Sequence, residues 1–153
     1  MKRIATFLLA FLLLLSGEQS RATQLCSVQL STAVTASTQT YVSGFGAPAS
    51  LEMDAHFAYG SGGTTADVYV QTSLDAGVTW YDIANFHFTT SSLNPYLNAI
   101  SLQSVLTTVS LTNLTIAANT AINGVMGDRY RCVVTSTGTY VATGLIVNIA
   151  PRY

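Results

Sequence analysis

Apolar and polar residues alternate with a period of two along most of the chain. The clearest run is LEMDAHFAY, residues 51–59, in which every odd-numbered position is apolar and Glu52, Asp54 and His56 lie between them. Successive side chains of a β-strand point to opposite faces, so this run predicts a strand with one buried and one solvated face.

Similar runs recur between turn signals. Strand-like runs occupy residues 25–34, 66–74, 80–90 and 129–149, the last predicted to fold as a hairpin around Gly138. Residues 97–116 are ambiguous, but their β-branched content and lack of Lys, Glu and Arg favour strands over a helix. Residues 117–128 are predicted to form a loop or a single helical turn. The pattern predicts an all-β fold, a single-domain, jelly-roll-like β-sandwich of about eight antiparallel strands over residues 23–153.

The first 22 residues differ from the rest. Lys2 and Arg3 precede an apolar run of twelve residues, and the small residues Ser20 and Ala22 suit positions −3 and −1 of a cleavage site. This pattern predicts a secretory signal peptide and a secreted protein. Twelve residues span only about 18 Å as a helix, against a hydrocarbon core of roughly 30 Å, so a stable membrane span is not expected.

Charge is scarce throughout the chain. Charged residues make up 8% of it, and no lysine follows Lys2. After residue 22, three arginines and six carboxylates give a formal charge of −3. A protein that binds nucleic-acid backbones needs clustered Lys and Arg, so nucleic acid is disfavoured as a partner. So few charges also favour self-association.

Two cysteines, Cys26 and Cys132, leave two interpretations open. In an oxidising compartment they would form one disulfide between an early and a late strand, and otherwise they are two buried free thiols. Neither has a His or a second Cys at metal-ligand spacing. The sequence therefore predicts no metal site and no cofactor.

The densest motif is SLDAGVTW, residues 73–80, hereafter the Asp box because it resembles the Asp-box pattern of sialidases and other β-propeller proteins. Each of five residues has a role in a structural turn. Ser73 and Asp75 offer side-chain oxygens and Gly77 tolerates a positive φ. Thr79 returns the chain to β structure, and Trp80 packs at the start of the next strand. The motif occurs once, whereas a propeller needs a repeat about every 40–50 residues, so a propeller is rejected.

Catalytic arrangements are weakly supported. Asp54 and His56 share a strand face and with a serine could be drawn as a triad, but no GxSxG elbow is present. Carboxylate pairs such as Asp75 and Asp82 would suit glycoside hydrolysis, yet only Trp80 and Tyr81 lie near them as aromatics. The sequence predicts that the protein is not an enzyme.

The stretch GDRYRC places two arginines on one face of a strand. One interpretation is a surface ion pair from Arg129 or Arg131 to Asp128 or Asp82. The other is an interface, in which both arginines bind carboxylates of a neighbouring subunit.

The order of motifs, GSGGTTADVYVQTSLDAGVTWYDIANFHFTT and then AANTAINGVMGDRYRCVVTSTGTYVATGLIVNI, resembles a family of small structural proteins of tailed bacteriophages and prophages. The resemblance covers most of residues 25–152. It implies a β-sandwich virion component, a head-decoration or minor head–tail protein that assembles on other virion proteins. It also implies fold-forming roles for Asp75, Gly77, Trp80, Arg129 and Gly138. The leader departs from this family, whose members assemble in the cytoplasm.

Two functions therefore remain as hypotheses. The first is a virion structural protein located in the virion. The second is a secreted or cell-surface carbohydrate-binding module, suggested by the leader, the Asp box and the Trp80–Tyr81 pair, with glycans as partners.

Overall fold

The protein is all-β in the computed structural model, which describes residues 21–101 and 113–153. These residues contain eleven strands, of which eight have five residues or more: β1 (Thr23–Leu30), β2 (Val34–Thr38), β3 (Ser50–Ala58), β4 (Ser61–Gly62), β5 (Thr65–Ser73), β6 (Tyr81–Phe88), β7 (Tyr96–Ile100), β8 (Thr120–Ala121), β9 (Arg129–Thr137), β10 (Tyr140–Val141) and β11 (Thr143–Arg152). The predicted all-β class is confirmed, and the three additional strands have only two residues each.

Two antiparallel sheets make up most of the fold. A four-stranded sheet has the order β1-β11-β3-β7, a five-stranded sheet has the order β2-β9-β5-β6-β8, and β10 pairs with β4. The inner faces of the two sheets pack on each other and bury one hydrophobic core. This arrangement is a β-sandwich, as the strand pattern predicts.

The alternation in β3 sets the inner face of the four-stranded sheet. Leu51, Met53, Ala55 and Phe57 are buried, and the polar residues between them are half-buried or exposed. The neighbouring β11 follows the same register, since Phe57 pairs with the buried Leu145. Matching alternation in adjacent strands places a continuous apolar face against the second sheet.

Direct contacts join the two sheets through the core. The rings of Phe57 on β3 and Phe88 on β6 stack with their centroids 4.6 Å apart. A disulfide links Cys26 on β1 to Cys132 on β9, across 106 positions of sequence. Both cysteines are buried. Of the two interpretations of the cysteines, the structure has the disulfide.

The predicted hairpin around Gly138 is wrong. Gly138 directly follows β9 and has a positive φ of 85°, but β9 and β11 belong to different sheets. The chain between them forms β10, whose Tyr140 is buried and donates its hydroxyl to the backbone oxygen of Thr65 over 2.6 Å. The buried Tyr140 ring anchors residues 138–142, and these residues cross from the five-stranded to the four-stranded sheet.

The ambiguous regions are resolved in part. β7 forms the start of the stretch 97–116, residues 102–112 lie outside the described residues, and residues 113–119 form no strand. The predicted loop at 117–128 contains the two-residue strand β8. The leader also lies outside the described residues, apart from its last two.

The central strand β5 is buried on both faces. Val68 and Val70 face the core, and Tyr69 and Gln71 on the opposite side are buried as well. The segment 113–119 covers this outer face, where the backbone oxygen of Ile116 accepts a hydrogen bond from the buried Asn85 side chain over 3.1 Å.

Candidate functional site

The Asp box connects β5 to β6 in an antiparallel hairpin. The Ser73 hydroxyl accepts the backbone N–H of Gly77 over 2.8 Å and donates to the Asp75 carboxylate over 2.9 Å. The same carboxylate oxygen accepts the backbone N–H of Thr79 over 2.7 Å. Gly77 has a φ of 94°, a conformation that glycine adopts without steric cost. The turn is thus stabilised by its own side chains.

These hydrogen bonds also set the ionisation of Asp75. Donation from Thr79, through its side chain and its backbone N–H, lowers the pKa of Asp75 from 3.8 to about 2. Hydrogen bonds to the charged form of a carboxyl stabilise that form. Asp75 is therefore an ionised acceptor near neutral pH, whereas a general acid needs a raised pKa.

Trp80 lies on the surface of the five-stranded sheet rather than in the core. Its indole N–H donates to the backbone oxygen of Gly77 over 2.9 Å. The Arg131 guanidinium covers one face of the ring, with Cζ 4.1 Å from the centroid. The Tyr41 ring packs beside it with centroids 6.1 Å apart. Trp80 lies directly before Tyr81, the first residue of β6, and its side chain is held by the turn and by Arg131.

The ion pairs predicted for the two arginines are absent from the described residues. Arg129 donates to the backbone oxygen of Ala76 and lies over the Tyr41 ring, with Cζ 4.9 Å from its centroid. Arg131 donates through Nε to the Gln71 side chain over 2.8 Å. The arginines share one face with the Asp box, so the structure brings together the two motifs that the sequence singles out.

The carboxylates predicted to pair with these arginines have other donors. Asp128 accepts the backbone N–H of Gly46 over 2.9 Å. Asp82 accepts the Gln71 amide over 2.7 Å and the backbone N–H of Thr115 over 3.3 Å. Burial lowers the pKa of Arg131, and the nearby charge of Asp82 acts in the opposite direction.

A buried polar network on the outer face of β5 and β6 was missed by sequence reasoning. Gln71 is fully buried and links Arg131 to Asp82, which is also fully buried. Burial, together with the charges of Asp67 and Asp82, raises the pKa of Tyr69 in the same layer. The sequence does show polar residues in β5 and β6, but polar residues in a strand are typical of a solvated face and do not predict a buried network.

Asp67 and His87 pair at the other end of this layer. The carboxylate Oδ1 of Asp67 lies 2.9 Å from Nδ1 of His87 and accepts the Asn85 side-chain amide over 3.4 Å. His87 is half-buried by this pairing rather than a free surface residue.

The suggested pair Asp54 and His56 lies on the outer face of the four-stranded sheet. Nε2 of His56 is 2.7 Å from Oδ2 of Asp54, which also accepts the Asn148 amide over 3.0 Å. The side chains of His56 and Asp54 are 51% and 40% exposed. Both residues are on a solvated strand face, as the alternation predicts.

Exposed apolar side chains cluster along one edge of the same sheet. β7 is an edge strand, and in the described residues it pairs with β3. Tyr96 and Ile100 on β7 are 59% and 43% exposed, and Leu93 just before the strand is 49% exposed. These three residues are called the apolar edge below.

Metal ligands and membrane-spanning segments are the two remaining kinds of site. Residues 21–101 and 113–153 contain no group of three or more His, Cys, Asp or Glu that could hold a metal ion. Over the same residues, no helix has the length and apolar character needed to cross a bilayer.

Comparison with known proteins adds no assignment. No protein-family model, no curated protein and no solved structure matches the chain. The resemblance to phage structural proteins therefore depends on the sequence motifs.

Proposed function

We propose that this chain is a non-catalytic structural component of a bacteriophage or prophage virion. Its place is head decoration or a minor head–tail position, where it assembles on other virion subunits and on copies of itself. The order of motifs supports this assignment, and the small β-sandwich is a suitable architecture for it.

The apolar edge carries the proposal. An edge strand presents unpaired backbone N–H and C=O groups, and soluble proteins usually protect such edges with charges, proline or bulges. β7 contains no charged residue and no proline, and its pairing with β3 has no register shift. Within the described residues, Ile100 at its end is the β7 residue with partners on this side: its N–H donates to the Asn123 side chain and its C=O accepts the N–H of Gly124. Such an edge is suited to contact with another protein.

The chemistry-bearing residues support a structural role. The Asp75 carboxylate is engaged by two donors of its own turn, and the Asp54–His56 pair is solvent-exposed. A triad hydrolase or a glycoside hydrolase needs these groups free within a pocket. Their positions favour the non-catalytic assignment.

The disulfide bears on localisation. Bonds of this kind persist in oxidising compartments and in particles outside the cell. The Cys26–Cys132 bond supports a location in released virions or, if the leader directs export, a secreted location.

A carbohydrate-binding module is the second candidate. Its suggested platform, Trp80 with Tyr81, is restricted because Arg131 occupies one face of the Trp80 ring.

The test is incorporation into particles. Virions from a host that carries the gene would be banded on a density gradient and their proteins quantified by mass spectrometry, with the chain expected at fixed stoichiometry to the capsid protein. The double variant Tyr96→Lys/Ile100→Lys is expected to be lost from the particles. Its matched control is Ser27→Lys/Gln29→Lys, two charges at exposed positions of the opposite edge strand, which should be retained. Recovery of the wild-type chain only in the medium or periplasm would overturn the proposal.

A further inference from the structure

A pocket opens on the outer side of the five-stranded sheet, between β2, β5 and β9, and has a volume of about 400 Å³. The pairing of β2 with β9 is irregular between Val34 and Ser37, where the register shifts. This irregularity lies beside the pocket. Six of its lining residues carry hydrogen-bonding side chains: Thr35, Thr65, Asp67, Thr135, Ser136 and Thr137. It is called the Asp67 pocket here.

Asp67 is the only charged residue that lines this pocket. Its Oδ1 atom is held by His87 and Asn85, and its Oδ2 atom has no hydrogen bond to any other described residue. The side chain is 20% exposed. Two partners thus orient the carboxylate and leave one oxygen available as an acceptor.

Hydroxyl groups complete the lining. Thr65 and Thr137 hydrogen-bond each other through their hydroxyls over 2.7 Å. The hydroxyls of Thr35 and Thr135 have no hydrogen bond within the described residues, and Thr135 lies directly opposite Asp67 across the β5–β9 ladder. Each hydroxyl can donate one hydrogen bond and accept others.

We propose that the Asp67 pocket binds a small neutral polyhydroxyl ligand, of monosaccharide or disaccharide size. The carboxylate charge repels an anion. An ammonium group can only donate hydrogen bonds, and the unpaired threonine hydroxyls also need acceptors to which they can donate. A sugar hydroxyl both donates and accepts. Ala33 and Val34 add apolar wall suited to the C–H face of a sugar ring. The volume falls in the range of roughly 300–1,000 Å³ that is usual for small-ligand sites.

This site is separate from the apolar edge and from the Asp box. The pocket is on the outer side of the five-stranded sheet, whereas β7 belongs to the four-stranded sheet. Sugar binding and particle incorporation can therefore be measured independently, and failure of one leaves the other standing.

The experiment is saturation-transfer difference NMR on the purified full chain. The neutral probes are glucose, galactose, mannose, xylose and maltose, and the charged probes are glucosamine and glucuronate. We expect at least one neutral probe to bind and glucuronate not to bind. Asp67→Asn should weaken that binding about tenfold, since a charge-assisted hydrogen bond is lost. The matched control, Asp54→Asn on the other sheet, should leave it unchanged.

A second variant separates binding from folding. Thr135→Val keeps the side-chain shape and removes one hydroxyl, and it should weaken binding about threefold while the circular dichroism spectrum stays that of the wild type. The proposal is overturned if no neutral probe binds, if glucosamine binds and the neutral probes do not, or if Asp67→Asn binds as tightly as the wild type.

Discussion

Thr79 donates its backbone N–H to the Asp75 carboxylate over 2.7 Å, and this bond closes the turn between β5 and β6. Because this hydrogen bond favours the ionised carboxylate, the charge of Asp75 contributes to the stability of the folded state. The hairpin then holds β6 in register beside β5, so the motif has a structural effect that can be measured.

The first prediction concerns pH. The pKa of Asp75 is lowered to about 2 in the folded state from 3.8, so the unfolded chain binds this proton more tightly. The stability that its charge contributes is complete above pH 3.8 and is lost as pH falls towards 2. Asp75→Ala should have a lower Tm than the wild type from pH 7 to 5, and the gap should narrow towards pH 2. Thermal unfolding followed by circular dichroism measures it, with Asp75→Asn as the isosteric control. A gap that stays constant down to pH 2 would count against this role.

The second prediction concerns close backbone packing at Gly127. A Cβ at this position would lie 2.0 Å from the backbone oxygen of Ser73, and the Gly127 N–H donates to the Thr72 hydroxyl over 2.9 Å. Gly127→Ala should lower the free energy of unfolding by about 2–4 kcal/mol, because the end of β5 must shift. In contrast, Gly44 has a φ of 90° with no atom within 4 Å of its Cβ position, so Gly44→Ala should cost only the backbone strain of about 1–2 kcal/mol. Urea titration of both variants provides the comparison, and equal losses would contradict the steric explanation.

The third prediction concerns the disulfide. The bond closes a loop of 106 positions, for which the chain-entropy model gives a stabilisation of about 4–5 kcal/mol. Cys26→Ala/Cys132→Ala should therefore lower the urea midpoint strongly, and reducing agent should affect the wild type alone. Intact mass should rise by two hydrogens on reduction. A wild-type mass that does not change would show that the thiols are free.

The fourth prediction concerns Arg131 and Trp80. Arg131→Ala removes the guanidinium from the indole face and leaves the buried Gln71 Oε1 without this donor. We expect a loss of about 1–2 kcal/mol and a change in tryptophan emission. Trp80 is the only tryptophan in the chain, so the emission reports on this contact. Arg131→Lys should restore the charge without the planar contact and recover little of the emission change.

Arg152→Ala is the control for charge removal. Arg152 pairs with Glu52 over 2.6 Å at an exposed position, away from the indole. Its loss should leave the tryptophan emission unchanged. An equal emission change in the two alanine variants would mean that Arg131 acts through overall charge.

The local features could be predicted from sequence because they depend on neighbouring residues. Residues only a few positions apart determine the alternation of β3 and the turn formed by Ser73, Asp75 and Gly77. The core face follows from the same period of two.

The rest depends on contacts between distant segments. Nothing near Gly138 indicates that Tyr140 will be buried against Thr65, 75 positions earlier. Likewise, the polar positions Gln71 and Asp82 predict a solvated face unless the covering segment 113–119 is known. The ion-pair interpretation of Arg129 and Arg131 fails for the same reason, since Asp128 and Asp82 are already engaged by other donors.

The most direct measurement compares particle incorporation of Asp75→Asn with that of Tyr96→Lys/Ile100→Lys. If the Asp box is structural and the apolar edge is the contact surface, Asp75→Asn should be recovered in gradient-purified virions at the wild-type ratio to capsid protein, and the edge variant should be absent from them. Recovery of the edge variant at the wild-type ratio, or absence from the virions of an Asp75→Asn chain that is still folded, would contradict the account.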